Sequence, residues 1–148
     1  MLNILAPILL ALAPTDTTFV NVDVSNYSSI KKIGGRDITF GVKEETEEIL
    51  VNKGYFITDS TGFDVQVSID SIYSPQQMLN IMGIQWLRKD YIVETSICIG
   101  SKCFKGTGER RTFVFAMFLN VENGEVPLNR KAFSKALQES LKITSKQF

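Results

Sequence analysis

In "TFVNVDVSNY" apolar and polar side chains take turns: Val20, Val22 and Val24 fall on one side, Asn21 and Asp23 on the other. A period of two is that of a strand with one face buried. The period then lengthens. After Gly34-Gly35, Asp37 can cap a helix in which Ile38, Val42, Thr46 and Ile49 share a face while Lys43, Glu44, Glu47 and Glu48 meet water. Gly54 in "NKGY" ends it, because glycine takes the left-handed conformation that closes a helix at least cost. "YFITDS" follows as a short strand. In "FDVQVSIDSIY" the odd positions from Phe63 to Ile69 are apolar and the even ones polar, the clearest strand in the chain.

"YIVETSICIGSKCFKGTGERRTFVFAMFL" predicts two or three further strands, with "TFVFAMFL" apolar enough to lie centrally in a sheet. "ENGEVPLN" reads as a turn. Asn129 then caps a last helix in which Phe133, Ala136, Leu137, Ser140 and Leu141 recur at helical spacing. The expected fold is α+β: a single antiparallel sheet of four to six strands, with two helices packed on one face in the order strand, helix, strands, helix. One-sided strands need a cover, and the two amphipathic helices supply it.

The length of 148 residues fits one domain, here 15–148, preceded by a distinct segment 1–14. That segment, "MLNILAPILLALAP", is almost wholly apolar and ends in small residues, as a secretory leader does. It lacks a basic start, Pro7 interrupts it, and it is shorter than the roughly 20 residues of a membrane-spanning helix. Two readings stay open: a leader, or an apolar arm kept in the mature protein and buried against a partner. Membrane contact is expected only if the segment is retained.

Sixteen basic and sixteen acidic side chains cancel, so no overall field draws in nucleic acid. Histidine is absent from the sequence, which removes the usual general base, the commonest metal ligand and the centre of most hydrolytic triads. An enzyme would need a carboxylate or lysine mechanism, and a pocket gathering two or more of Asp64, Asp70, Glu94 and Glu109. No convergent polar cluster is visible, and no catalytic, cofactor-binding or metal-binding residues are expected.

The only two cysteines flank Gly100-Ser101. Glycine accepts the positive φ of a two-residue hairpin turn, so Ile99 should oppose Lys102 and Cys98 oppose Cys103, with α-carbons about 4.5 Å apart. That distance admits a disulfide. The same register puts Ser96 opposite Lys105 and Glu94 opposite Thr107 on the wetter side. The pair should be oxidised if the chain is exported and remain two inert thiols otherwise. Cys-x4-Cys in a hairpin is not the Cys-x-x-Cys of a redox enzyme at a helix N-terminus. Gly106 and Gly108 in "KGTGERR" lie beside cations but no helix follows, so a bulge or bend in a strand is expected rather than a phosphate loop. "KEETEE" reads as a solvated helix face.

"SPQQMLNIMGIQWLRKD", from Ser74 to Asp90, carries Met78, Leu79, Ile81, Met82, Ile84, Trp86 and Leu87. Two accounts fit so apolar a segment: a flap folded back on the sheet with the lone Trp closing the core, or a docking surface for a protein partner.

From "RDITFGVKEETEEILVNKGYFITD" through "FDVQVSIDSIY" to "LNRKAFSKALQESLK", about residues 36 to 148, the sequence resembles the YajG family of small bacterial envelope lipoproteins. More loosely it resembles other lipoproteins with the same strand, helix, strands, helix plan. The resemblance implies an envelope location and transfers no catalytic residues. Those lipoproteins carry an acylated cysteine after the leader and this chain has none there, so anchoring does not carry over. The function expected is a non-enzymatic structural or interaction module, periplasmic or secreted, that docks a protein partner or forms a homo-oligomer without a cofactor. The alternative is a structural subunit of a larger assembly such as a virion, with its apolar arm retained.

Overall fold

The computed structural model describes residues 18–60, 62–115 and 128–148. The leader-like segment, the "ENGEV" turn and the "AMFL" end of the apolar run lie outside the described residues.

The chain enters as β1 (Phe19–Asn26), makes a small ribbon of β2 (Lys32–Ile33) and β3 (Arg36–Asp37), and continues into α1 (Ile38–Asn52) and β4 (Phe56–Ile57). The strands β5 (Phe63–Tyr73), β6 (Gln76–Ile81), β7 (Ile84–Ile99) and β8 (Lys102–Phe115) follow, and then α2 (Arg130–Ser145). Among the described residues β4, β1, β5, β7, β6 and β8 form one curled sheet. β5 and β6 lie end to end along one edge of β7, and β8 runs along the other.

The sheet is mixed rather than antiparallel throughout. β1 runs parallel to both β4 and β5, while β5, β6, β7 and β8 pair antiparallel. The helix is the cause. α1 carries the chain back across the face of the sheet, so the strands after it leave in the direction of β1. β4 flanks β1 on one side, and the chain then passes the start of β1 to reach its other side as β5. Gly62 makes that passage, and a Cβ there would stand 2.7 Å from the Phe19 carbonyl oxygen.

Both helices cover the same face. Val20, Val22, Val65, Val67, Ile69, Val93 and Ile97 point into it, and Val42, Leu50, Phe133, Ala136 and Leu141 meet them in one core. In α1 the deepest residue of the last turn is Leu50, with Ile49 only half-buried; the stripe turns slightly relative to the expected one. Asp37 caps α1 by accepting from the Thr39 backbone N–H at 2.9 Å and its hydroxyl at 2.8 Å, which holds the Asp37 carboxyl below its usual range. Gly54, at φ +91°, follows its end. Asn129 caps α2 by accepting from the Ala132 N–H at 3.1 Å, and the Asn129 N–H donates to the buried Tyr91 hydroxyl at 2.8 Å. The start of α2 is thereby tied to the middle of β7.

Gly106 and Gly108 are not at a bulge. β8 pairs with β7 in unbroken register from Phe115 to Lys102, and the two glycines let α2 approach the strand. A Cβ on Gly108 would stand 1.9 Å from the Ala136 carbonyl oxygen, and one on Gly106 would stand 2.6 Å from that of Ser140. At this closeness the Ser140 hydroxyl donates to the Gly106 carbonyl at 2.8 Å and lies 2.7 Å from the Thr95 hydroxyl, with Thr144 beside them. Of the run "TFVFAMFL" the described part, Thr112 to Phe115, pairs with β7, and Phe113 is half exposed.

Candidate functional site

The face of the sheet turned away from the helices divides into three zones along β7. Nearest the Gly100 turn it is polar. Ser68 donates to Asp70 at 2.7 Å, Ser96 donates to the other Asp70 oxygen, and Ser71 donates to Glu94. Asp70 follows Ser68 on this face, and a register shift between Ile69 and Ser71 brings Ser71 there too and lets Ile72 return to the core. The carboxylates are thus engaged by serines on an open surface. Asp64 lies instead in a shallow cleft of about 330 Å³ beside Cys98 and Gly100. Among the described residues no three His, Cys, Asp or Glu side chains are grouped as a metal ion would need.

The turn that closes this zone has the register its residues predict. Ile99 opposes Lys102, Ile97 opposes Phe104, and Cys98 opposes Cys103. Gly100 takes φ +61°. The two sulfurs form a disulfide across α-carbons 4.0 Å apart, closer than the 4.5 Å expected of an unlinked pair.

The middle zone is an ion-pair network. Arg88 donates to Asp90 through Nε at 2.9 Å and through a terminal nitrogen as well. Arg111 reaches the same carboxylate at 3.1 Å and Glu109 at 3.2 Å. Arg88 and then Arg111 hold the Asp90 carboxyl below its usual range against the opposing effect of burial. Asp90 raises the Arg88 guanidinium in turn.

The third zone is apolar, and it occupies the segment for which the sequence leaves open a folded-back flap or a docking surface. Gln76 to Lys89 is a β-hairpin that extends the sheet rather than folding back on it. Leu79 opposes Trp86, and Ile81 opposes Ile84 across a Met82-Gly83 turn in which both residues have positive φ, +53° and +78°. The cause is this tight turn; once it forms, β6 completes its backbone bonds along β7 and has no reason to return over the sheet.

Directly opposed residues and those two apart share a face. Leu79, Ile81, Ile84 and Trp86 therefore join Phe113 and Phe115 of β8 in one patch, with the Trp86 and Phe115 rings 5.3 Å apart. Met82 at the tip is 98% exposed, and Ile81, Ile84 and Phe113 are each about half exposed. Met78 and Leu87 project from the hairpin's other face, where Leu87 is buried and Met78 is not. Sequence reading named seven hairpin residues but missed Phe113 and Phe115. Only the register of β7 on β8 joins them to the patch, and the residues that set it lie 13 positions from Trp86, at Ile99.

A separate open cleft of about 760 Å³ lies at the N-terminal ends of both helices, between Ile33, Arg36, Phe40, Arg130 and Phe133. Asp37 and Asn129 already cap these helix ends. Among the described residues no helix is long and apolar enough to cross a membrane.

The sequence matches no family model, that of the YajG family included, and no curated protein. Among solved structures it is similar to a minor lipoprotein from Acinetobacter baumannii at 11% identity, with 88% of this chain and 86% of that one covered and a TM-score of 0.45. It is also similar to the hypothetical protein CT253 from Chlamydia trachomatis at 9% identity, with 88% and 92% covered and a TM-score of 0.39.

Proposed function

We propose that this chain is a non-enzymatic interaction module of an oxidising, extracytoplasmic compartment, and that it docks a protein partner through the open apolar end of its sheet. The carrying observation is the patch of Leu79, Ile81, Ile84, Trp86, Phe113 and Phe115, with Met82 fully exposed at its tip. Apolar surface gathered on one rigid, paired scaffold is what a binding interface needs at its centre, and aromatic and Met side chains are the types favoured there. A protein fits better than a lipid surface. The cation at the border of the patch, Arg88, is occupied by Asp90, and the hairpin from Gln76 to Leu87 carries no charge. The Cys98–Cys103 disulfide supports the compartment, since such bonds persist outside the reducing cytoplasm.

The test is a photo-crosslinking residue at position 82, 84 or 113 in cells that make the protein, with position 23 on the polar part of the sheet as control. The reading expects a discrete protein adduct from the first three and none from the fourth. Adducts with lipid alone, or equal labelling from position 23, contradict it.

A further inference from the structure

The outer faces of the two helices carry opposite charge although the chain as a whole is neutral. In α1, Glu44, Glu45, Glu47 and Glu48 stand against one cation, Lys43; in α2, Arg130, Lys131, Lys135 and Lys142 stand against one anion, Glu139. The excess is three charges of each sign. Part of it is engaged within the chain: Lys43 pairs with Glu47 at 3.8 Å, and Glu139 with Arg110 at 3.2 Å. Glu44 and Glu48, and Lys131, Lys135, Lys142 and Lys146, are exposed and make no ion pair among the described residues.

The helices run side by side in the same direction. Their first turns line one cleft with Ile38 and Phe133, Glu45 accepts from Gln138 at 3.1 Å midway, and Lys53 donates to the Phe148 carbonyl at 2.6 Å beyond their far ends. Along α1 the outward stripe reads Phe40, Glu44, Glu48, Val51, and along α2 it reads Lys131, Lys135, Lys142, Lys146. Phe40 is 66% exposed and Val51 54%, so the acidic stripe is apolar at both ends. Ile143 adds exposed apolar surface on α2.

From this layer we infer that a second copy of the chain packs face to face on it, about a two-fold axis lying along the groove between α1 and α2. Charge selects this arrangement. A two-fold across the helices would lay α1 on α1 and α2 on α2, like charge on like. The two-fold along the groove lays α1 of each copy on α2 of the other, and it preserves height along the helices. Because Glu45 is level with Gln138, Glu48 of the second copy comes beside Lys142 of the first, about 1.5 Å apart in height, and Glu44 comes within a turn of Lys135. Each contact occurs twice, as the symmetry of such a pair requires. Two helices some 23 Å long and about 10 Å apart offer roughly 450 Å² per copy, which is small. The pair is therefore a weak, reversible, salt-sensitive dimer rather than an obligate one. This surface lies on the opposite side of the sheet from the apolar patch, so the inference stands independently of the proposed function.

Sedimentation velocity on the full chain tests it. The dimer is expected near 20 mM salt at about 100 µM protein, with association at least tenfold weaker near 0.5 M salt. Glu44→Lys/Glu48→Lys and Lys135→Glu/Lys142→Glu variants are each expected to be monomeric, and an equimolar mixture is expected to form a one-to-one heterodimer. A monomeric wild type at low salt overturns the inference, as does a dimer that neither reversal weakens, or a mixture that stays monomeric. Circular dichroism establishes that each variant is folded. Should either double variant unfold, the single changes Glu48→Lys and Lys142→Glu carry the same mixing test with the same outcomes.

Discussion

The α-carbon of Gly108 faces the carbonyl oxygen of Ala136 so closely that a Cβ would stand 1.9 Å from it. α2 rests on the backbone of β8 here, and no side chain could lie between them. Replacing Gly108 by Ala should push helix and strand apart at a point that Tyr91 and Thr95 also fix, at a cost of about 3 kcal/mol, the upper end for overpacking. Gly41 is the internal control. It lies in α1 with nothing within 4 Å of a Cβ, so Gly41→Ala should stabilise by about 0.5–1 kcal/mol through helix propensity. Urea denaturation of the two variants checks both signs.

The hydroxyls of Thr95, Ser140 and Thr144 lie in the same contact, buried and bonded to one another and to the Gly106 carbonyl. Removing the Ser140 hydroxyl takes one partner from the Thr95 hydroxyl and one from the Gly106 carbonyl, while Thr144 keeps its bond to the Ser140 carbonyl. Ser140→Ala should cost about 1–3 kcal/mol, and Thr95→Val with Ser140→Ala should cost less than the sum of the two single changes. A double-mutant cycle by thermal denaturation measures the coupling.

Much of this fold was legible in local chemistry. Asp37, Gly54 and Asn129 bound the helices because caps act over two or three residues, and Gly100-Ser101 set the whole β7–β8 register because a two-residue turn leaves one pairing open. What depends on distant partners was not legible. β1 alternates like any half-buried strand, and its parallel neighbours follow only from the crossover through α1. Gly106 and Gly108 carry no signal that distinguishes a bend from the approach of a helix some 30 residues on. The hairpin from Gln76 was obscured because the adjacent apolar pairs Met78-Leu79 and Trp86-Leu87 interrupt the alternation that Leu79 to Ile81 and Ile84 to Trp86 otherwise keep.

Breaking the disulfide with Cys98→Ser and Cys103→Ser should lower stability by about 2 kcal/mol on the chain-entropy estimate for so short a loop. The hairpin register should persist, since Gly100 and the flanking backbone pairs set it. Thiol titration of the denatured, unreduced native protein should find no free thiol, and two would contradict the bond.

Acid should weaken the Arg88–Asp90–Arg111 network. Asp90 is held below its ordinary value of 3.8 in the folded chain, so its contribution is complete above that value and is lost as pH falls through the lower, folded one. Because Arg88 and Arg111 are partly exposed, the contribution is no more than about 1 kcal/mol. Wild type should exceed Asp90→Asn in stability at pH 7, and the two should converge as pH falls below 3.8. A constant difference across that range would contradict the assignment.

The helices cover one face of the sheet, and the proposed docking end lies on the other. Oxidative footprinting reads both, with the protein purified and with it bound to the proposed protein partner. Purified, Met82 and Phe113 should be modified rapidly while Tyr91 and Phe133 are spared. In the complex, Met82 and Phe113 should become protected. Met82 and Phe113 as reactive in the complex as in isolation, with protection confined to other surfaces, would contradict the account.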